Sequence, residues 1–307
     1  MTKWGLVATV KAPVQDILTF AAHHIELGAH RIYIYLDEDH AEARAALTAH
    51  PKVRVTLCDE AYWQKRRGQR PRKHQSRQAA NATHAYRRKA EIDWLIHLDV
   101  DEFLWPDASV AGQLASLPDH ARVARVRPVE ALAGDDPAFK AFIPPGPERD
   151  RIVSRLYPRF GHFVKGGFMS HVAGKIFVRT GLDAIQLRIH DAFQKGERLP
   201  TDMELGWARL CHFHGDDWDH WIAAYRFRLE QGAYRDGLAA ARPDGPTLFA
   251  ALTHIEQTEG EAGLRAFFDE INATSEIARK ALKNEGMLLQ HDLHLERSLR
   301  RQFPNFL

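Results

Sequence analysis

Three carboxylates lie close together in the segment DWLIHLDVDEFLWP, which covers residues 93–106. Asp99, Asp101 and Glu102 follow directly after an apolar run that is typical of a buried strand. Where a chain is extended, residues i and i+2 point to the same side. Asp99 and Asp101 are therefore expected to converge, while Glu102 points away and has a supporting role. Two carboxylates at close range repel each other unless a proton or a cation lies between them. The D-x-D pattern predicts a site for a hard divalent cation such as Mg²⁺ or Mn²⁺.

Acidic residues also end two earlier strand-like segments. RIYIYLDED runs into Asp37, and KVRVTLCDE runs into Asp59. Acids at a single strand end can simply mark where the chain leaves the core. Three such ends are more informative, because ligands of an open parallel sheet bind beyond the carboxyl ends of its strands. We therefore expect Asp37, Asp59 and the D-x-D pair to share one edge of a sheet.

The segments that must position these acids alternate between strand and helix patterns. Over the first hundred residues the order is β-α-β-α-β-α-β, which predicts an α/β fold with a mostly parallel sheet flanked by helices. After Pro106 strand-like segments are mixed with loops, and from Trp218 onward helical patterns dominate. The predicted division is into residues 1–106, residues 107–225 and a helical C-terminal extension, residues 226–307.

The composition is that of an ordinary soluble globular protein, with 45% hydrophobic and 27% charged residues in a chain of 307. A formal net charge of +2 gives no bulk attraction to nucleic acid or to membranes. The two cysteines, Cys58 and Cys211, cannot form a disulfide framework and fit a reducing compartment. The sequence shows no signal-peptide pattern and no apolar stretch long enough to span a membrane, so we expect a cytoplasmic location.

The acidic motif and its surroundings resemble a known family. The stretch HLDVDEFL, preceded by ELGAHRIYIYLDED and followed by HFHGDDWDHW, is similar to the family 2-like glycosyltransferases of the GT-A fold, in the subgroup whose metal motif reads D-x-D-E-F. The resemblance covers roughly residues 4–225, which is most of the chain. It implies a GT-A-like catalytic domain in residues 1–225, with a nucleotide-binding half up to residue 106 and an acceptor half after it.

The resemblance also implies a metal site. In such enzymes the D-x-D motif holds a divalent cation that bridges the diphosphate of a nucleotide-sugar. Asp101 would be the direct ligand, Asp99 would reach the ribose or a metal-bound water, and His212 would be the third ligand. Imidazole binds Mn²⁺ well and Mg²⁺ poorly, which favours Mn²⁺. The alternative for His212 and His214 is a pair of histidines hydrogen-bonded within a sheet.

Further positions are implied for the nucleoside and the diphosphate. Asp37 would bind the ribose or the base, and Asp59 the edge of the base. The backbone at the end of the first strand would bind the base. Lys11 would either bind a phosphate or be an ordinary surface lysine. The remaining candidates for the donor site are Thr9, Val10, Lys11, Arg77 and Gln78.

An inverting transfer needs a base that takes the proton of the acceptor hydroxyl. Glu130, at the end of a strand-like segment, is the first candidate, followed by the neighbours His190 and Asp191. The sequence singles out none of them, and each can instead be structural. The other residues left open as bases are Asp135, Asp136 and His171.

The resulting prediction is a metal-dependent glycosyltransferase that moves a sugar from a UDP-sugar or a related donor to a hydroxyl of a saccharide, lipid-linked or other acceptor. The alternatives are a metal-dependent hydrolase or phosphoesterase, and a non-catalytic module that binds nucleotide or carbohydrate. The basic loop, Lys65–Lys73, is either a solvated loop, a cover for the diphosphate or a binding surface for an anionic acceptor. The C-terminal helices either pack on the catalytic domain, form a homodimer or make a peripheral contact with the inner membrane face.

Overall fold

The computed structural model describes residues 1–88, 91–134, 137–215, 217–230, 241 and 245–306. Two residues considered as bases, Asp135 and Asp136, lie outside the described part. The described strands are β1 (Trp4–Val10), β2 (Arg31–Leu36), β3 (Val53–Leu57), β4 (Trp94–His97), β5 (Glu102–Pro106), β6 (Val123–Ala131), β7 (Ala138–Lys140), β8 (Lys175–Arg179), β9 (Ile185–Leu187), β10 (Ala192–Gln194), β11 (Glu197–Arg198), β12 (Met203–His212) and β13 (Leu288–Gln290). The described helices are α1 (Val14–Glu26), α2 (Ala41–Ala49), α3 (Glu60–Arg67), α4 (His74–Arg87), α5 (Val110–Ala115), α6 (Arg149–Leu156), α7 (Trp218–Glu230), α8 (Leu248–Ile271), α9 (Glu276–Asn284) and α10 (Leu295–Gln302).

The described chain forms two compact units, and each is discontinuous in sequence. The first unit comprises Met1–Arg127, Ala173–Leu210 and Leu293–Leu307, and the second comprises Pro128–Val172 and Cys211–Asp292. These boundaries differ from the predicted division at residues 106 and 225. Local sequence patterns show where a helix or a strand begins and ends. They do not show which distant segments of the chain pack together into one unit.

The first unit contains the parallel part of the sheet. Strands β3, β2, β1 and β4 lie side by side and run parallel, with Val10 opposite Leu36 and Val7 opposite His97. All seven residues of β1 are buried, as expected for a central strand covered on both faces. Beyond β4 the pairing becomes antiparallel, through β8 to the first part of β6. The prediction of an α/β fold is confirmed, and the parallel pairs described here join strands of the first hundred residues.

The C-terminal helix α10 belongs to the first unit and packs against α1. Arg301 and Gln302 both contact the carboxylate of Glu26 at the end of α1, and His50 after α2 also contacts Gln302. The residues that follow position 226 are therefore not one helical extension, because α8 and α9 lie in the second unit and α10 returns to the first.

The second unit is built around helices α7, α8 and α9. Its core is aromatic: Trp221 stacks on Tyr225, and Phe267 and Phe268 pack against the same indole ring. Strand β7 pairs antiparallel with the end of β6 on one side and with β13 on the other. No helix in the described ranges is both long enough and apolar enough to cross a membrane.

Candidate active site

The two aspartates of the D-x-D motif lie in a turn between β4 and β5. The backbone N–H of Glu102 donates to the carbonyl of Asp99 over 3.1 Å, which closes the turn around Asp101. The backbone N–H of Asp99 in return donates to the carboxylate of Glu102 over 2.8 Å. The prediction that the chain is still extended here is wrong. The turn occurs because Glu102 satisfies the first backbone donor from inside the protein.

A buried lysine compensates the acidic charge of this turn. Nζ of Lys175, the first residue of β8, lies 2.6 Å from Asp99 and 3.1 Å from Glu102, and the side chains of Lys175 and Glu102 are fully buried. Burial by itself lowers the pKa of Lys175, but the charges and hydrogen bonds of Asp99 and Glu102 raise it above its ordinary value. The lysine therefore remains charged and is a fixed counter-ion for Asp99 and Glu102.

The residue before Lys175 restricts the backbone of β8. Gly174 has a φ of +70°, and a Cβ atom at this position would lie 2.1 Å from the carbonyl oxygen of Val126 on β6. The carbonyl of Gly174 accepts a hydrogen bond from Nδ1 of His190 over 2.8 Å. Glycine therefore allows β8 to approach β6 closely, and this approach sets the position of the lysine.

Helix α4 supports the turn from its N-terminal half. The side-chain amide of Gln78 donates to Oδ1 of Asp99, the oxygen that is not bound to Lys175. One turn further along the helix, Asn81 donates to Thr9 on β1 over 3.1 Å. The predicted donor-site residues Thr9, Gln78 and Asp99 are thus brought together by α4.

Asp37, at the end of β2, lies in a cluster of basic side chains. Its carboxylate is fully buried and is contacted by Arg77 at 2.8 Å, by Arg70 at 3.0 Å and by His74 at 3.7 Å. Burial by itself raises the pKa of Asp37, but hydrogen bonds from His74 and Arg77 and the charges of Arg77 and Arg70 lower it to about 2. Asp37 and Arg77, two of the predicted donor-site residues, therefore form an ion pair with each other.

The Asp37 cluster predicts a pH-dependent contribution to stability. Because the pKa of the folded carboxyl is depressed from 3.8 to about 2, its stabilisation is present above the unfolded pKa and is lost as the pH falls towards 2. Asp37→Asn is expected to reduce the free energy of unfolding by about 2 kcal/mol at neutral pH, and by less as the pH approaches 3. Urea unfolding of the wild type and the variant at several pH values measures this difference, with the exposed Asp39→Asn as the matched control. A difference that does not change with pH would show that Asp37 stabilises the fold by packing alone.

Two other predicted donor-site residues already have local partners. Lys11 forms an exposed ion pair with Glu38 at 3.0 Å, and Asp59 caps α3 by accepting the backbone N–H of Tyr62 over 2.8 Å. Val10, at the exit of β1, accepts the backbone N–H of Asp37 over 2.8 Å. The roles predicted for Lys11, Val10 and Asp59 towards a nucleotide stay predictions.

Two histidines that were not predicted hold the strand after the D-x-D turn. His23 donates through Nε2 to the carbonyl of Leu104 over 2.8 Å, and the N–H of Leu104 donates to Nε2 of His24 over 3.4 Å. Burial lowers the pKa of His23 to about 4 and that of His24 well below its ordinary value, so both rings are neutral. The only sequence signal was a pair of histidines on a helix whose other core-facing residues are apolar.

Glu130, the first candidate for the base, lies in the second unit and is not suited to that role. It is fully buried, forms an ion pair with the equally buried Lys140 at 2.9 Å, and accepts the backbone N–H groups of Met169 and Ser170. Burial by itself raises the pKa of Glu130, but the charge of Lys140 and these hydrogen bonds lower it to about 2. A carboxylate with so low a pKa is a weak proton acceptor, and every contact described here is structural.

The Glu130–Lys140 pair predicts strong coupling between two substitutions. Glu130→Gln and Lys140→Met each leave a buried polar partner without its counter-charge, and each is expected to cost about 3–5 kcal/mol of unfolding free energy. The double variant is expected to lose less than the sum of the two by about 2 kcal/mol, because no lone charge is then buried. Chemical denaturation of the four proteins measures this coupling. Strictly additive losses would mean that the two charges do not stabilise each other.

The second candidates for the base, His190 and Asp191, lie in the first unit near β8. Asp191 forms ion pairs with Arg125 at 3.1 Å and Arg198 at 2.7 Å, and its pKa is lowered, since these contacts outweigh burial. His190 is half-buried and donates to Gly174 through Nδ1. Because a carbonyl can only accept, Nδ1 carries the proton when the ring is neutral, and Nε2 is then the basic nitrogen.

The second unit brings three histidines together. The ring of His212, at the end of β12, lies with its centroid 5.2 Å from that of His171 and 5.2 Å from that of His214. Imidazoles at this spacing are suitable ligands for a transition metal. The prediction that His212 is a metal ligand stays a prediction, and His171 joins it as a neighbour.

A sequence-family comparison matches the part of the chain that carries the acidic turn. The model described as Glycosyltransferase family 92 matches residues 7–122, which is less than half of the chain. The match supports a glycosyltransferase enzyme, the predicted class, but the family is not the family 2-like group that the motif resembled. No curated protein sequence matches the chain.

Solved structures give distant similarities. The crystal structure of HddC from Yersinia pseudotuberculosis aligns with 74% of this chain and 100% of its own, at 11% identity and a TM-score of 0.39. The crystal structure of S. aureus TarS 1-349 aligns with 100% of this chain and 92% of its own, at 12% identity and a TM-score of 0.36.

Proposed function

We propose that this protein is a metal-dependent glycosyltransferase that uses a nucleoside-diphosphate sugar, with UDP as the favoured nucleotide, and inverts the anomeric carbon. The observation that carries the proposal is the D-x-D turn at the carboxyl end of β4, inside the region matched by a glycosyltransferase family model. Ligands of a parallel sheet bind at this end of its strands. The acceptor is proposed to be a hydroxyl of a saccharide or of a lipid-linked sugar.

The residues of the turn fit a divalent cation. Asp101 is half-buried and supplies a carboxylate, the kind of ligand that Mn²⁺ and Mg²⁺ prefer. Both oxygens of Asp99 are contacted from inside the protein, one by Gln78 and one by Lys175. Asp101 is proposed as the direct ligand, as the resemblance of the motif implies, and Asp99 as a residue held for the ribose or for a water on the metal. When bound, the cation stabilises the negative charge that develops on the departing nucleoside diphosphate.

The remaining donor contacts are proposed from the same edge of the sheet. The backbone at Thr9 and Val10 lies at the exit of β1, next to Asp37 at the exit of β2. Because Arg70 and Arg77 fix the carboxylate of Asp37, its orientation does not depend on a substrate. A carboxylate held in place in this way is a suitable hydrogen-bond acceptor for the hydroxyl groups of a ribose.

His190 is proposed as the base that removes the proton of the acceptor hydroxyl. Its hydrogen bond to Gly174 leaves Nε2 as the basic nitrogen, which is the form a general base needs. Asp191 is proposed to hold the loop through Arg125 and Arg198 rather than to take part in the proton transfer. His212 is proposed as an additional ligand that favours Mn²⁺ over Mg²⁺.

A donor screen tests the proposal. Release of UDP or GDP from a panel of nucleotide-sugars is measured with Mn²⁺, with Mg²⁺ and with a chelator, and one donor is expected to be cleaved only when metal is present. Release of inorganic phosphate in place of the nucleoside diphosphate would identify a phosphoesterase. Nucleotide binding without any turnover would identify a non-catalytic module. Either result would overturn the transferase.

A further inference from the structure

The basic loop, Lys65–Lys73, concentrates positive charge in one short segment. Its sequence is KRRGQRPRK, and no Asp or Glu occurs anywhere between Ala61 and Ala90. The formal net charge of the whole protein is only +2, so the remainder of the chain is net negative. The six cations of the loop are all exposed: Lys65, Arg66, Arg67, Arg70, Arg72 and Lys73.

The loop is fixed to the edge of the sheet. Arg77, whose side chain is 13% exposed, donates to the carbonyls of Pro71 and Arg72 over 2.9 Å each, while it also binds Asp37. Arg70 reaches the backbone carbonyl and the carboxylate of the same aspartate over 2.9 and 3.0 Å. The first three residues of the basic loop form the last turn of α3, and Gly68 ends that helix in the left-handed conformation. A loop whose backbone is held in this way loses less backbone entropy when its cations bind a ligand.

Within the loop, Arg70 forms an ion pair with Asp37. Arg66 instead lies over the ring of Tyr62 and contacts His84. Lys65, Arg67 and Arg72 form no ion pair within the described residues. These three cations are therefore available to an external anion.

The place of the loop in the fold links it to the proposed reaction. Arg77 is followed on α4 by Gln78, and the side chain of Gln78 donates to Asp99 in the D-x-D turn. The cations thus border the edge at which the donor is proposed to bind. Fixed positive charge beside a reaction site raises the local concentration of an anionic substrate.

The surroundings of the cations favour a water-soluble anion. The uncharged residues of the loop are Gly68, Gln69 and Pro71, and the nearest tryptophan, Trp63, is buried. Surfaces that insert into a bilayer present exposed large apolar side chains, and surfaces for single-stranded nucleic acid present exposed aromatic rings. The loop presents neither.

We propose that the basic loop binds negatively charged groups of the acceptor, and that the acceptor is an anionic saccharide bearing phosphate, sulfate or carboxylate groups. The inference rests on the proposed function, because it names the acceptor class of that reaction.

A binding experiment on the full chain tests the inference without any nucleotide. Dextran sulfate is the anionic probe, and neutral dextran of the same length is its reference. The test variant is Lys65→Gln/Arg67→Gln/Arg72→Gln, and the matched control is Arg87→Gln/Lys280→Gln/Arg297→Gln. The control removes three exposed cations outside the loop and therefore changes the net charge equally.

The wild type and the control are expected to bind dextran sulfate and not neutral dextran, and the loop variant to bind it at least about tenfold more weakly at low ionic strength. Binding of UDP with Mn²⁺ is expected to be the same in all three proteins. Equal loss in both variants, tighter binding to phosphatidylglycerol vesicles or to an oligonucleotide than to dextran sulfate, or a matching loss of UDP affinity would each overturn the proposal. The probe assay needs no turnover. If the protein binds dextran sulfate through the loop but shows no transfer activity, only the proposed transferase function is refuted.

Discussion

Asp101→Ala is expected to abolish most of the sugar-transfer activity while the protein stays folded. If Asp101 supplies the direct carboxylate ligand, its loss weakens Mn²⁺ binding and removes charge stabilisation from the departing diphosphate. We expect kcat/KM to fall by about a thousandfold or more. Because Asp101 is half-buried on a turn, the thermal midpoint of the metal-free protein is expected to change little.

The control for this prediction is Asp107→Ala, an exposed aspartate just after β5. It should leave Mn²⁺ affinity and transfer unchanged, although it removes the same charge from the same part of the chain. Titration calorimetry with Mn²⁺, alone and with UDP, measures the affinity directly. Wild-type Mn²⁺ affinity in Asp101→Ala would show that the D-x-D turn is not the metal site. The same titration on His212→Ala tests the second proposed ligand independently.

Lys175→Met is expected to have the second large effect, a loss of stability that is larger without metal than with it. Without the lysine, the fully buried Glu102 loses its ion pair at 3.1 Å, and Asp99 loses its ion pair at 2.6 Å. Removing one partner of a buried ion pair typically costs about 3–5 kcal/mol of unfolding free energy. The metal-free variant should therefore unfold at a clearly lower temperature than the wild type.

Added Mn²⁺ should restore more stability to Lys175→Met than it adds to the wild type. The cation then replaces part of the missing charge, and a ligand that binds the folded state more tightly stabilises it more. Thermal unfolding with and without Mn²⁺ measures both shifts, and Lys175→Arg, which keeps the charge, is the reference variant. A metal-induced shift no greater in Lys175→Met than in the wild type would mean that the lysine does not balance the charge at the metal site.

The sequence predicted those parts of the fold that depend on local patterns. Apolar strands that alternate with amphipathic helices indicated the parallel sheet, and acids after three strands indicated the edge where Asp37 and Asp99 lie. The conformation of the D-x-D motif was predicted wrongly, because strand patterns do not specify where a strand turns. The turn depends on Glu102, whose neighbours come from elsewhere in the chain.

The contacts that could not be predicted are those between residues far apart in sequence. Lys175 lies 76 positions after Asp99, and a lysine at the start of a strand has no pattern that distinguishes a buried counter-ion from a surface charge. Glu130 was ranked as a base because it ended a strand, but its buried partner Lys140 gives it a structural role. His23 and His24 were overlooked because their partner is a backbone peptide group at Leu104 rather than another side chain.

The close approach at Gly174 also limits how this protein can vary. A side chain there would collide with the backbone of β6, and backbone atoms cannot move aside as the end of a flexible side chain can. Any replacement must displace β8, and with it the ammonium group beside Asp99. In a library of all single substitutions, position 174 should therefore tolerate almost no exchange, although its residue has no functional group. Descendants of this sequence are expected to retain this glycine for as long as they retain the charge balance of the acidic turn.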